Sequence, residues 1–310
     1  MISIVVPVYK NSANIEPLVA AMEALSLNIE GGMEAVFVVD GSPDDSYAQL
    51  VTRLPAARLR SQLLLLSRNF GSFAAIRAGL SAARGDSFAV LAADLQEPPA
   101  LLEEFARILA RADADVVFGV RTSRADPLTT TLSSRLFWGF YKRYIQPDVP
   151  AGGVDIFGCS MAVRDQILAL RENNSSLVGL LFWVGFRRSF VPYERREREL
   201  GVSAWTFAKK LRYLTDSVFS FSDLPVRLLV RIGFLGVAGS LILACIIVFS
   251  KLTGLITVPG YSATVLTVVF FGALNCLGLG IIGHYVWRAF ENTKGRPNFI
   301  VAAKDEFPQS

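Results

Sequence analysis

Histidine and cysteine are nearly missing from this 310-residue chain, which has one of the first and three of the second. The single His284 excludes a metal site built on several imidazoles. Cys159, Cys245 and Cys276 are odd in number and irregular in spacing, so neither a disulfide framework nor a zinc site is expected. Glycine-rich phosphate loops are lacking too. No G-x-G-x-x-G and no P-loop occurs, and the turn after the first apolar run reads Tyr9-Lys10-Asn11-Ser12, where a dinucleotide fold needs glycines. A nucleotide held here must be gripped by side chains. No aromatic-rich nucleic-acid module is present. The net charge of +4, with basic residues concentrated between Arg187 and Arg231, suits a membrane surface or a phosphate better than a nucleic-acid groove.

Charge itself is missing from two stretches near the C-terminus, nineteen residues from Ile232 to Ser250 and thirty-one from Thr257 to Trp287 with His284 neutral. At about 1.5 Å per residue each can cross about 30 Å of hydrocarbon, so two transmembrane helices are expected, joined by a loop around Lys251 to Tyr261. Two buried helices of a soluble core would carry some charge over such lengths. Arg227 and Arg231 precede the first stretch, and Arg288, Lys294 and Arg296 follow the second, against Lys251 alone between them. This bias predicts a hairpin with both termini and the catalytic part in the cytoplasm. The first apolar run is short and broken at Pro7, so no signal peptide is expected.

What is present is a regular alternation. Apolar runs at 2–8, 35–39, 62–67, 87–91 and 115–120 read as strands, and helical patterns fall at about 14–27, 46–53, 72–83 and 99–111. The alternation predicts a doubly wound, mainly parallel α/β sheet. Segments 156–163 and 188–193 could extend it, and Thr130 to Ile145 reads as a further amphipathic helix. From Ser203 to Leu224 aromatic and basic residues interleave at helical spacing, as in helices lying on a membrane surface. The expected organisation is a cytoplasmic domain over 1–200, interfacial helices over 201–228, two spans over 229–288 and a tail over 289–310.

Polar turns end several of the apolar runs: Asp40-Gly41-Ser42-Pro43-Asp44, Arg68-Asn69-Phe70-Gly71, and Asp94-Leu95-Gln96-Glu97-Pro98-Pro99. In an open α/β sheet the ligand sits at such carboxyl ends. Asp40 is placed to accept from a base or ribose. Asp94 and Gln96 offer hard oxygens suited to Mg²⁺ or Mn²⁺ held against a diphosphate.

These turns, with Pro7-Val8-Tyr9, Gly119-Val120-Arg121, Phe219-Ser220-Phe221-Ser222-x-x-Pro225 and Gly295-Arg296-Pro297-x-Phe299-Ile300, occur in the order found in family-2 inverting glycosyltransferases of the GT-A fold. The chain most resembles the bacterial polyprenyl-phosphate glycosyltransferases, relatives of dolichol-phosphate mannose synthase, from Ile2 to about Ile300. The resemblance implies transfer of a sugar, with UDP-hexose as the favoured donor, from a nucleotide diphosphate sugar to polyprenyl phosphate at the bacterial inner membrane, supplying cell-envelope assembly. It implies that Pro7, Tyr9, Asp40, Arg68, Asn69 and Asp94 bind the nucleotide sugar. Asp94 and Gln96 would hold the metal, and Arg121, Arg135, Arg198 and Ser203 would lie near the phosphates. Asp155 matches the acidic residue expected to act as base or to orient the acceptor.

Two positions depart from that pattern. Ala92 stands where the family has the first aspartate of Asp-x-Asp, and Ala204 where a lysine often follows the serine. The loss at Ala92 leaves open a second reading, a catalytically weak or inactive homologue that binds nucleotide sugar or lipid phosphate as a partner protein. Glycines at 233, 236 and 239 and at 278, 280 and 283 would allow close helix packing, in the chain or in a homo-oligomer.

Overall fold

The structure, a computed structural model, describes residues 1–121, 139, 141–143, 147–150, 154, 156–170, 172, 176–194, 207–253 and 260–308. Strands β1 (Ile2–Val8) and β2 (Met33–Val39) are buried along almost their whole length, which explains their largely apolar sequences, and their two buried polar residues pair with each other, Ser3 Oγ donating to Glu34 Oε2 at 2.8 Å. With β3 (Ser61–Leu66) and β4 (Ser87–Val90) they form a parallel block in the order β4-β1-β2-β3. Alternate residues of β1 feed opposite layers. Ile4, Val6 and Val8 pack with helices α1 (Ile15–Asn28), α2 (Ser46–Arg53) and α4 (Ala100–Ala110), through Leu18, Leu50 and Phe105. Val5 packs on the other face with α3 (Ser72–Ala82), α5 (Met161–Ala169) and α6 (Leu177–Trp183), through Ile76, Ile167 and Leu181. The sheet is therefore wound on both sides.

Its flanks are mixed, where the sequence predicted a mainly parallel sheet. β6 (Phe157–Ser160) inserts antiparallel between β4 and β5 (Val116–Arg121), and β7 (Arg188–Tyr193) runs parallel to β5 at one edge. At the other edge β8 (Val301–Phe307) pairs antiparallel with β3, giving the eight-strand order β7-β5-β6-β4-β1-β2-β3-β8. β8 comes from the segment read from sequence as a tail. Tyr47 donates to Asp305 at 3.2 Å, and Glu306 pairs with Arg84 and Lys304. Most of the helix expected over 130–145 lies outside the described residues, with 139 and 141–143 helical.

Three helices follow the domain: α7 (Phe207–Phe221), α8 (Leu224–Leu252) and α9 (Tyr261–Thr293). Among the described residues one helical segment, Phe270–Thr293, is long and apolar enough to cross a membrane, and its apolar stretch is not buried inside the protein. α8 and α9 pack antiparallel, since Gly236 faces Phe271 and Gly278 faces Leu229 at 3.5–3.6 Å from a built Cβ. α7 lies between the domain and α9. Leu214, Val218 and Phe221 pack on the second core layer, and a Cβ on Gly179 of α6 would come within 2.4 Å of the Phe221 ring. From the other side, Arg288 of α9 donates to Asp216 Oδ1 at 2.5 Å, to Ser220 Oγ at 2.8 Å and to His284 Nε2 at 3.0 Å. The Phe219 ring lies against His284, centroids 4.1 Å apart and planes tilted by 47°.

Candidate functional site

Because β1, β2, β3, β4, β5 and β7 share one direction, their carboxyl ends lie along one edge of the sheet. After β3 the chain crosses to the far side of β1, so the strand order reverses between β1 and β4. A crevice for a ligand opens at such a reversal. Pro7 and Tyr9 stand at its β1 side and the Asp94 turn at its β4 side, with Asp40 and Arg68 following β2 and β3.

Asp40 is 2% exposed and its carboxylate is already occupied. Oδ1 accepts from the Phe70 amide at 2.7 Å, and Oδ2 from the Gly71 amide at 2.8 Å and from Asn69 Nδ2 at 3.0 Å. Burial pushes its pKa up, against the lowering effect of the Phe70 and Gly71 amides and the Arg68 cation. In this state Asp40 shapes the Arg68-Asn69-Phe70-Gly71 turn, leaving Arg68 and Asn69 exposed at its tip with the Arg68 guanidinium 4.0 Å over the Phe70 ring. The two turns touch so closely that a Cβ on Gly41, at a φ of 55°, would lie 2.3 Å from the Arg68 carbonyl carbon. Gly41→Ala is expected to cost about 3 kcal/mol or more, combining backbone strain with a clash that only movement of the second turn relieves. Thermal melting of the variant against the parent measures it.

Asp44, which the sequence reading quoted within its motif but gave no role, ties the β1 and β2 turns together. Its Oδ1 accepts from Ser42 Oγ at 2.6 Å and Ser46 Oγ at 2.7 Å, and its Oδ2 from the Ser12 amide at 3.0 Å. Burial pushes its pKa up, but the Ser42 and Ser46 hydroxyls and the Ser12 and Ser46 amides outweigh burial and hold it down to about 2. An acid whose pKa falls on folding contributes stability above its unfolded value and loses it as pH falls through the folded one. Asp44→Asn should therefore melt below the parent at pH 7, by about 1–2 kcal/mol after solvent screening. The gap should close between about pH 4 and pH 2. A gap that stays constant over that window would contradict this role.

After β4, Leu95 takes a φ of 52°, unusual for a residue with a side chain, and turns the chain so that the Gln96 amide donates to Asp94 Oδ1 at 3.4 Å. Asp94 and Gln96 thus lie together, both half-buried, beside Glu97, which is 2% exposed. Among the described residues no group of three or more histidines, cysteines, aspartates or glutamates is close enough to hold a metal ion. The donor set is one carboxylate and one amide oxygen, which suits a hard cation only if a phosphate ligand completes it. Arg121 ends β5 opposite Tyr193 of β7. Tyr193 lines a cleft with Pro98, Leu101 and Val191 on the same edge of the sheet. Asp155, Arg135, Arg198 and Ser203 lie outside the described residues.

Comparison with known proteins agrees with this architecture. The profile of glycosyl transferase family 2 matches residues 3–169. CsbB of Bacillus subtilis (strain 168), named as a glycosyltransferase, is 34% identical over 97% of this chain and 91% of its own. The bactoprenol glucosyl transferase of Shigella phage SfII is 28% identical over 97% of each chain. Among solved structures, glucosyl-3-phosphoglycerate synthase from Mycobacterium tuberculosis in complex with UDP superposes with a TM-score of 0.51 at 18% identity, over 71% of this chain and 79% of its own. Mannosyl-3-phosphoglycerate synthase from Rubrobacter xylanophilus gives 0.50 at 15% identity, over 75% of each. At such identities the structural likeness is one of fold. With more than half of the chain matched and a 34% identical relative spanning nearly all of it, the chain belongs to glycosyl transferase family 2 and is a glycosyltransferase of the GT-A fold.

Proposed function

We propose that the protein transfers a hexose from a nucleotide diphosphate sugar, with UDP-hexose favoured, to polyprenyl phosphate. The observation that carries this reading is similarity to bactoprenol glucosyl transferases that runs through the domain and the apolar helices alike. In the proposed reaction a phosphate oxygen of the lipid attacks the anomeric carbon from the face opposite the diphosphate. The bond from that carbon to the diphosphate breaks, the nucleoside diphosphate leaves, and the configuration inverts.

A phosphate monoester has a second pKa of roughly 6, so near neutral pH the acceptor is already a nucleophile. Little is then asked of a base. Asp155 orients acceptor or sugar, and Arg121, Arg135, Arg198 and Ser203 hold phosphate charge. Pro7, Tyr9, Asp40, Arg68 and Asn69 receive the nucleotide, Asp40 by shaping the turn that carries Arg68 and Asn69. Asp94 and Gln96 would hold Mg²⁺ or Mn²⁺ together with the diphosphate, and the cation would supply charge neutralisation for the leaving group. α8 crosses the bilayer antiparallel to α9, as a hairpin of the bacterial inner membrane with domain and termini in the cytoplasm. Gly233, Gly239, Gly280 and Gly283, with nothing within 4 Å of a Cβ placed there, leave room for the helices of a second copy in a homo-oligomer.

Ala92 favours a second reading, a homologue of weakened catalysis that binds the same ligands. Purified protein incubated with labelled UDP- and GDP-sugars, undecaprenyl phosphate and Mg²⁺ or Mn²⁺ separates the two. Chelator-sensitive label entering the organic phase from one donor is the expected result, whereas donor binding without transfer from any donor would favour the second reading.

A further inference from the structure

Lys10 stands directly after β1, at the strand-order reversal, and carries a φ of 54°. That region crowds Cβ against the neighbouring carbonyl and is adopted routinely by glycine alone. The turn is fastened there. The Lys10 amide donates to Ser42 Oγ at 2.8 Å, the Asn11 amide to Ser46 Oγ at 3.3 Å and the Ser12 amide to Asp44, so the β2 turn imposes the conformation. Inside the protein the side chain has one weak contact, its ammonium over the neighbouring Tyr9 ring, and nothing that offsets the backbone strain. It is exposed, its ammonium lies 5.6 Å from the Tyr9 ring centroid, and it joins no ion pair among the described residues. Strain held in place by surrounding hydrogen bonds, at the mouth of a crevice, marks a residue placed for a ligand rather than for stability.

We propose that Lys10 is a donor-binding residue whose ammonium takes phosphate charge of the nucleoside diphosphate. This rests on the reading of the protein as a nucleotide-sugar transferase and names a cation for it. Lys10 sits between the Asp40 turn, on the nucleoside side, and Asp94, on the diphosphate side. With alanine at position 92, less anionic charge is available to hold a divalent cation there. An ammonium carried on a fixed backbone shares the work of neutralising the diphosphate.

The test is calorimetric titration of the full chain with UDP, GDP and the matching monophosphates, at low and high salt, alongside thermal melting. Lys10→Gln is expected to weaken the preferred diphosphate by about tenfold, the size of one charge-assisted contact, and to flatten its salt dependence, while Lys10→Arg stays near the parent. Lys10→Gly is the more telling variant. It should melt at or above the parent temperature, because glycine accepts the backbone, yet show the same tenfold loss of affinity. A structural lysine would give the reverse, lower melting with unchanged affinity. Parent-like diphosphate affinity in folded Lys10→Gln or Lys10→Gly overturns this inference alone. Failure of the parent to bind either diphosphate overturns it together with the functional reading.

Discussion

Asp94→Asn is expected to lower kcat/KM for sugar transfer by about 10²–10³-fold, the range seen when one group aimed at developing charge is removed from an active site. The residue keeps its shape and can still accept from the Gln96 amide, so the turn at Leu95 should hold and melting should change little. What is lost is charge. With Ala92 in place of a second acidic residue, Asp94 is the one carboxylate of Asp94-Leu95-Gln96. No neighbouring aspartate at position 92 can take over, and high Mn²⁺ should restore only part of the rate. Ala92→Asp gives the opposite test, a lower Mn²⁺ requirement with an intact Asp94. Transfer rates measured across a metal titration check both variants. A rate for Asp94→Asn within a few-fold of the parent would remove Asp94 from the proposed role.

The second large effect concerns lipid rather than donor. The Arg288 and Asp216 side chains are only 11% and 30% exposed, and Arg288 also holds Ser220 and His284. Removing one partner of such a half-buried pair leaves the other less well compensated, at a cost of about 1–3 kcal/mol after solvent screening. α7 is held to the domain by Phe221 and to α9 by this pair, so the cost falls on the joint between them. Arg288→Ala and Asp216→Ala are each expected to lower transfer to a polyprenyl acceptor in bilayers at least tenfold while UDP affinity stays at the parent value. The double variant should lose less than the two singles combined, because each removes the same contact. Parallel losses of UDP affinity would show that the joint supports the domain as a whole.

Much of this architecture is legible in the chain because parallel strands buried on both faces are written as largely apolar runs. Ile2 to Val8 and Ala35 to Val39 read as strands on that ground, and the structure begins the second two residues earlier, at Met33. β8 escapes such a reading. Its Lys304-Asp305-Glu306 run looks like a solvated tail, and charge is what an edge strand carries, since its outward side meets water. The antiparallel insertion of β6 escapes too, because four residues of mixed polarity carry no sign of direction. At the site, the sequence shows that polar turns end β2, β3 and β4, but not what each carboxylate touches. Asp40 is engaged by amides thirty residues away, and Asp44 binds the β1 turn, and such contacts exist only once the strands pair. Lys10 showed in sequence only as a missing glycine, and its backbone strain is a property of the fold.

The most direct test of the proposed activity sets undecaprenyl phosphate against undecaprenol with the same labelled donor, metal and purified protein, and follows label into the organic phase. Label that enters only with the phosphate, as a glycosyl phosphodiester of inverted anomeric configuration, is the expected result. Consumption of the donor with equal label on both lipids, with label on neither, or with retained configuration would contradict it.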